Sequence, residues 1–284
     1  MNHRDASRWR WSLPLIIVTL LATSVAVVAL RAARAPRTAD AAALRVEELK
    51  ALRGRILVYR LRDDGADDKR MAALPLSEHG ARRIAFGPRC ERVASSARHL
   101  VCLGRSRDPL RPYQATLFDH EFKTIGETPL NGSPSRTRIS PDEKHFATTS
   151  FVAGDSYADD IFSTRTFVHG IGAEGLEPGA AENVEYYDLV VNSEVYRYPD
   201  KNVWGVTFVA GQDRFFATAS MSGHRYLVDA NMRERKMVAV RDNVECPSLS
   251  PNGLRLAYKK RVRDGQIVAW RFHAQASQQR CDAV

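Results

Sequence analysis

Two stretches of this chain follow one pattern. They are Ser140-Pro141-Asp142-Glu143-Lys144-His145-Phe146-Ala147-Thr148 and Ser250-Pro251-Asn252-Gly253-Leu254-Arg255-Leu256-Ala257-Tyr258. Each opens with a tight turn: proline fixes φ, Asp or Asn tolerates the next position, and glycine accepts positive φ. The residues that follow alternate, with Leu254, Leu256 and Tyr258 on one face and Arg255, Ala257 and Lys259 on the other. A third copy runs from Ala210 to Ser220 and pairs Phe146-Ala-Thr-Thr-Ser with Phe216-Ala-Thr-Ala-Ser. A weaker fourth copy spans Ser95 to Cys102. The anchors Ser95, Ser140, Ala210 and Ser250 lie 45, 70 and 40 residues apart. Two of these spacings suit a propeller blade, and the third implies an insertion.

A second hairpin follows the cassette. It covers residues 113–130, with a turn near Asp119, and residues 224–243, with a turn at Asp229–Asn231, so Asp119 and Asp229 correspond. Such a hairpin cannot bury its apolar face alone and needs neighbours stacked on it. The sequence therefore predicts an all-β fold: a β-propeller of four-stranded antiparallel blades, about four to six in number, in a ring that need not be complete. An open β-sandwich with chance similarity is the alternative. Gly54-Arg-Ile-Leu-Val-Tyr-Arg-Leu61 is a candidate to pair with the C-terminal strand and close the circle.

Ahead of the repeats, Leu13 to Leu30 carries no charge. Eighteen residues at about 1.5 Å each reach about 27 Å, close to a hydrocarbon core. Trp9 and Trp11 precede the run, where interfacial aromatics stand. The net charge is +9, but residues 1–37 hold six arginines against one aspartate, so more than half of the excess flanks this segment. That placement suits phospholipid headgroups better than a phosphate ladder, and no nucleic-acid partner is expected. A retained anchor is favoured over a cleaved signal peptide, because the apolar run is long for a secretory segment. The predicted organisation is a basic tail (1–12), a transmembrane helix or signal anchor (13–30), a partly helical linker (31–53), the propeller (54–273) and a C-terminal tail (274–284). In the linker, Asp40 is the candidate N-cap and Gly54 the residue after the helix.

The run Pro247-Ser-Leu-Ser-Pro-Asn-Gly253, ending in Leu256-Ala-Tyr258, resembles the repeat of TolB-like propellers. Residues 154–168, 202–208, 214–220, 226–235 and 243–264 together resemble a family of membrane-anchored, actinobacterial-type TolB-like proteins. The likeness covers nearly all of residues 54–264. It implies a propeller held on the extracytoplasmic side of a membrane, working as a binding module for an envelope protein or a cell-wall component. Members of that family continue past the final motif, whereas this chain reads Ala274-Gln-Ala-Ser-Gln-Gln-Arg-Cys-Asp-Ala-Val284 without alternation.

No catalytic signature stands out. The chain has no G-x-S-x-G, H-E-x-x-H, P-loop or G-x-G-x-x-G. Gly154-Asp155-Ser156-Tyr157 lacks the second glycine of a hydrolase elbow. An enzymatic role, a cofactor and a metal are therefore not expected, and no catalytic, cofactor-binding or metal-ligating residue is assigned. A propeller hydrolase or lyase with carboxylates in its central channel remains the rival class, and a truncated copy of little activity a third. Asp155, Asp159 and Asp160 match no calcium-loop spacing and suit a solvated loop. Residues 169–200, with their aromatic and acidic stretch Val184 to Pro199, suit either a binding loop or an elongated blade edge. Lys259-Lys260-Arg261 with Arg263 suits a wet surface. His145, His169 and His224 lack metal-ligand spacing. Cys90 and Cys102 suit either small buried apolar side chains or a bridge in an oxidising compartment, and Cys281 falls in a polar tail.

Overall fold

The computed structural model describes residues 54–76, 83–157, 161–264 and 267–276, with Leu20, Thr23, Glu48, Leu49 and Leu52 described singly. The chain divides into two units, residues 1–52 and 53–284. The expected membrane segment, 13–30, lies outside the described residues except for Leu20 and Thr23. Both are helical, and the Thr23 hydroxyl donates to the Leu20 carbonyl at 2.9 Å. Among the described residues no helix is long and apolar enough to cross a membrane. Of the expected linker helix, Glu48 and Leu49 are helical, and Gly54 adopts φ 78°.

The second unit is built of strands. The first sheet holds β1 (Ile56–Arg60), β2 (Arg70–Pro75), β3 (Ile84–Ser95), β4 (Leu100–Arg105), β5 (Tyr113–Phe118) and β6 (Thr124–Pro129) in chain order. Within it β3 changes partner. Ile84–Arg89 lies against β2 and Cys90–Ser95 against β4. The second sheet holds β7 (Ser133–Ile139), β8 (His145–Ala153) and β9 (Ser163–Gly172), with the short β10 (Gly175–Leu176) and β11 (Glu182–Asn183) both on β9. The 169–200 insertion supplies β12 (Asp188–Val191) and β13 (Glu194–Tyr196). They extend the third sheet, β14 (Asn202–Phe208), β15 (Arg214–Met221), β16 (His224–Asn231) and β17 (Lys236–Asp242), beyond its outer strand. There β12 runs parallel to β17, while the other ladders are antiparallel. The fourth sheet is β18 (Glu245–Leu249), β19 (Arg255–Asp264) and β20 (Ile267–Ala276). The expected closing role of residues 54–61 is not what forms: β1 pairs with β2.

The strands β3, β7, β14 and β18 pack side by side in that order. Apolar cores fill the spaces between neighbouring sheets. Val101, Leu103 and Leu117 meet Ile139, Phe146 and Ile171; Ala147 and Val168 meet Val203, Phe215 and Met237; Leu227 and Val244 meet Leu256 and Tyr258. Successive meanders burying one another's faces around their first strands form the blade arrangement of a β-propeller.

Each cassette turn joins one of the inner strands β3, β7, β14 and β18 to the strand that follows it. In two of them the bonding is the same. Ser140 N–H donates to the His145 carbonyl at 2.8 Å, and Ser250 N–H to that of Arg255 at 2.8 Å. Ser140 Oγ accepts from His145 N–H at 3.0 Å and donates to Asp142 at 2.6 Å; Ser250 Oγ accepts from Arg255 N–H at 2.9 Å and pairs with Asn252 at 2.7 Å. In the third copy Val209 N–H donates to the Arg214 carbonyl, so Val209 holds the place of Ser140. The anchor is one residue earlier than Ala210, and Phe215, not Phe216, is the counterpart of Phe146. Side-chain direction alternates along a strand, so this single step decides which phenylalanine faces which core. Phe215 is fully buried, and Phe216 packs partly buried beside Leu227 and Leu256. In the first sheet the turn is shorter, closed by Ser96 N–H on the His99 carbonyl. The Asp119–Asp229 correspondence also shifts. Asp119 accepts from Glu121 and Lys123 N–H in its turn, and the residue that does this in the third sheet is Asn231, accepting from Glu234 N–H. Asp229 stays inside β16, paired with Arg214.

Glu143 adopts φ 60° where the fourth sheet has Gly253 at φ 70°. Its buried carboxylate reaches the turn of the preceding sheet, accepting from Arg98 N–H at 3.0 Å and from the Arg98 guanidinium. Burial opposes ionisation, but these bonds outweigh it and hold the carboxyl below its ordinary range.

Replacing Ser140 or Ser250 with alanine is expected to cost about 1 kcal/mol each, the loss of the turn's side-chain bonds. The two sites belong to sheets separated by a third, so the double variant should show the sum within about 0.5 kcal/mol in urea denaturation.

Candidate functional site

Each of the four inner strands β3, β7, β14 and β18 loses its register against the strand that follows it. In β3 the break falls between Cys90 and Arg92, in β7 between Pro134 and Arg136, in β14 between Trp204 and Thr207, and in β18 between Glu245 and Ser248. A bulge turns its residues away from the ladder and re-aims their side chains. Here the bulged segments face one another. Arg92, Ser135, Arg136, Gly205, Val206, Cys246 and Pro247 line a shared cavity of about 250 Å³, which Val93, Thr137, Arg138, Ala147 and Thr149 complete. The close approach needs glycine at one point. Gly205 has φ 69°, and a Cβ there would sit 3.0 Å from Cys246 Cα.

The cavity is cationic. Arg92, Arg136 and Arg138 line it, and no Asp, Glu or His does. Desolvation, then the charges of Arg60 and Arg136, lower the Arg92 pKa; desolvation and Arg136 lower that of Arg138, although Arg138 as a residue is exposed. The nearest acid, Glu91, already pairs with Lys69 at 2.8 Å and Arg60 at 3.6 Å. Arg92 Nε donates to the Ser135 carbonyl at 2.5 Å, which satisfies the bulge, and Arg138 donates to Ser248 Oγ at 3.2 Å. Arg136 Nε and Thr137 Oγ1 are buried without a hydrogen-bond partner. Buried polar groups normally have one, so a ligand with acceptor oxygens would complete this wall.

Beside that wall lies Tyr157, from the loop between β8 and β9. Its hydroxyl meets Ser135 Oγ at 2.5 Å, its ring lies 5.5 Å from the Arg136 guanidinium, and it stacks on Trp204 at 4.7 Å. Burial pushes the phenol up to about 12. Gly154-Asp155-Ser156-Tyr157 thus serves packing through its tyrosine. Asp155 is exposed, and Asp159 and Asp160 lie outside the described residues, as does Cys281. No cluster of metal-holding side chains occurs among the described residues.

The basic run 259–261 is not simply a wet surface. Lys259 and Arg261 point inward to Glu245, which is 0% exposed, at 3.8 and 3.6 Å, and Arg225 joins them at 3.0 Å. Lys260 alone of the three is exposed. Cys90 and Cys102 form a disulfide that ties β3 to β4, and Cys246 is free. His169 is buried against Phe146 and hydrogen-bonded to Thr148 at 3.0 Å.

Sequence reasoning missed the axial arginines because the alternation it relied on stops at the bulges. Two residues did carry the signal. Pro134 and Pro247 sit inside strands, and proline has no ladder N–H, which confines it to edges, strand starts and bulges.

No family model matches this sequence, and no curated protein does. Similar solved structures include TolB from Acinetobacter baumannii, 13% identical with a TM-score of 0.43 over 65% of this chain and 40% of that one. The Cps50 (Swd1) β-propeller domain from Myceliophteria thermophila is 14% identical, with 0.45 over 74% and 64%. An oligogalacturonate lyase in complex with manganese is 10% identical, with 0.49 over 75% and 58%. The chain therefore spans less than two thirds of each of these proteins, and the fold assignment rests on the sheet topology above.

Two buried groups titrate in opposite senses. Burial lowers His169 to about 4. Between pH 4 and 6.5 the unfolded chain holds a proton that the folded chain refuses, so this group makes stability rise with pH. Burial raises Glu185 to about 7 despite bonds from Thr166, Val203 and Thr164. Between pH 4.5 and 7 the folded chain keeps a proton that the unfolded chain has lost, so stability falls as pH rises. Each effect is worth about 3 kcal/mol. Relative to wild type, His169→Gln should lose ground as pH rises from 4 to 6.5, and Glu185→Gln should gain ground from 4.5 to 7. Urea denaturation at stepped pH checks both; parallel profiles would contradict the assignment.

Proposed function

We propose that this chain is a membrane-tethered, extracytoplasmic propeller that works as a binding module, and that its axial cavity takes the anionic group of an envelope protein or cell-wall component. The observation that carries the reading is the cavity itself: three arginines from two inner strands, no lining carboxylate, and unpartnered buried donors on the wall. A cluster of like charge in a cleft concentrates ligands of opposite sign. A hydrolase or lyase reading draws no comparable support from the lining residues. Two further features favour the location. The Cys90–Cys102 bridge suits an oxidising compartment, and residues 13–30 have the length and basic flanks of an anchor.

The test is titration of the full chain with hexaglutamate and with a glycerol-phosphate oligomer, by calorimetry at several salt concentrations. The reading expects saturable binding of one of them, weakened by salt and weakened about tenfold or more by Arg136→Gln, with loss of one charge-assisted contact. Binding that ignores both salt and Arg136→Gln would count against it, as would no binding of either probe.

A further inference from the structure

The 169–200 insertion builds a second concavity, about 430 Å³, on the outer part of the third sheet. It shares no lining residue with the axial cavity. A single 3₁₀ turn (Val184–Tyr186), the hairpin β12–β13 and the residues that adjoin them bring four tyrosines to its lining, Tyr186, Tyr187, Tyr196 and Tyr198. Tyr186 is 74% exposed and Tyr198 69%. Tyr196 is half-buried, with its ring 5.3 Å from that of Tyr198. Tyrosine offers a rigid, amphipathic contact face at low entropy cost.

Tyr196 is held in place from behind. Its hydroxyl donates to Asp200 at 2.6 Å and meets Ser222 Oγ at 2.9 Å, while Asp200 also accepts from Ser222 N–H at 2.8 Å. These bonds keep the Asp200 carboxyl below its ordinary range against the opposing effect of burial. The ring is thus fixed before any ligand arrives.

The remaining lining tells what would sit there. Arg165, Arg197 and Lys201 are donors, and Asp188 is an acceptor. Aliphatic lining is limited to Val195 and Pro199. An amphipathic helix needs a continuous apolar floor, which this groove lacks. A polyanion would meet the Asp188 carboxylate as well as the bases. A ligand with flat C–H faces and a rim of hydroxyl groups, each both donor and acceptor, matches exposed rings set among charges of both signs. We infer that this groove is a carbohydrate-binding site, with pyranose rings seated on Tyr186 and Tyr198 and their hydroxyls bonded to the surrounding charged side chains. The inference stands on different residues from the axial reading and survives or fails separately.

The experiment titrates the full chain with cellotetraose and with chitotetraose, which present the same extended chain without and with acetamido groups. Saturable binding of at least one is expected. Tyr198→Ala and Tyr186→Ala should each weaken it on the order of tenfold, the loss of one stacked ring. Tyr198→Phe, which keeps the ring, should stay within about threefold, and Arg136→Gln should leave it unchanged. Both tyrosines are exposed, so the alanine variants should keep the wild-type circular dichroism spectrum. Failure of the folded chain to bind either sugar would overturn the proposal. So would undiminished binding in both alanine variants, or a proline-rich peptide occupying the groove where neither sugar does.

Discussion

The crowding of four first strands against one another governs this molecule. Flat ladders cannot converge so closely with every Cβ and carbonyl in place, and β3, β7, β14 and β18 each yield against the strand that follows. At or beside those points, backbone groups of the inner strands find partners in the neighbouring sheet. Arg92 serves the Ser135 carbonyl, Thr164 and Thr166 serve that of Val203, and Thr218 Oγ1 receives the Cys246 N–H. The bulges thus join the sheets to one another and also give the axial cavity its arginine wall.

The cationic character of that wall follows from the same geometry. Guanidinium groups that satisfy carbonyls and hydroxyls along the axis retain their charge, and the acids nearby are spent elsewhere. Glu91 binds Lys69 and Arg60, and Glu245 is enclosed by Arg225, Lys259 and Arg261. A buried carboxylate held by several bases is a structural group, since its removal would leave like charges facing one another. The axial arginines Arg92, Arg136 and Arg138 have no such carboxylate beside them in the cavity lining.

Much of the architecture was legible because turns are local chemistry. Ser-Pro-Asp and Ser-Pro-Asn-Gly encode their own hydrogen bonds, so the cassettes at Ser140 and Ser250 fall where the sequence placed them, while the third is displaced by one residue and the first is shorter. Register was less legible. Phe215-Phe216 offers two equal candidates for one inward position, and the choice is made by Val209 bonding to Arg214, which no side chain announces. The run 259–261 reads as a charged surface because the acid that draws two of its members inward lies on another strand. Cys90 and Cys102 are not ladder partners, since Cys90 lies opposite Gly104 and Cys102 opposite Val93, and it is the break between Cys90 and Arg92 that accompanies their approach to 5.5 Å between Cα atoms. The aromatic stretch of the insertion was visible as unusual, and its groove appears only when β12 joins β17 in parallel.

The crowding itself is open to direct measurement. Gly205, Gly211 and Gly253 share nearly the same φ, 69°, 67° and 70°, but a Cβ at Gly205 meets Cys246 Cα at 3.0 Å, whereas nothing lies within 4 Å at the other two. Alanine at each position carries similar backbone strain, so the difference in unfolding free energy isolates the contact between β14 and β18. The account predicts that Gly205→Ala costs about 1–3 kcal/mol more than Gly211→Ala or Gly253→Ala. Equal losses at all three would show that the first strands do not converge as described.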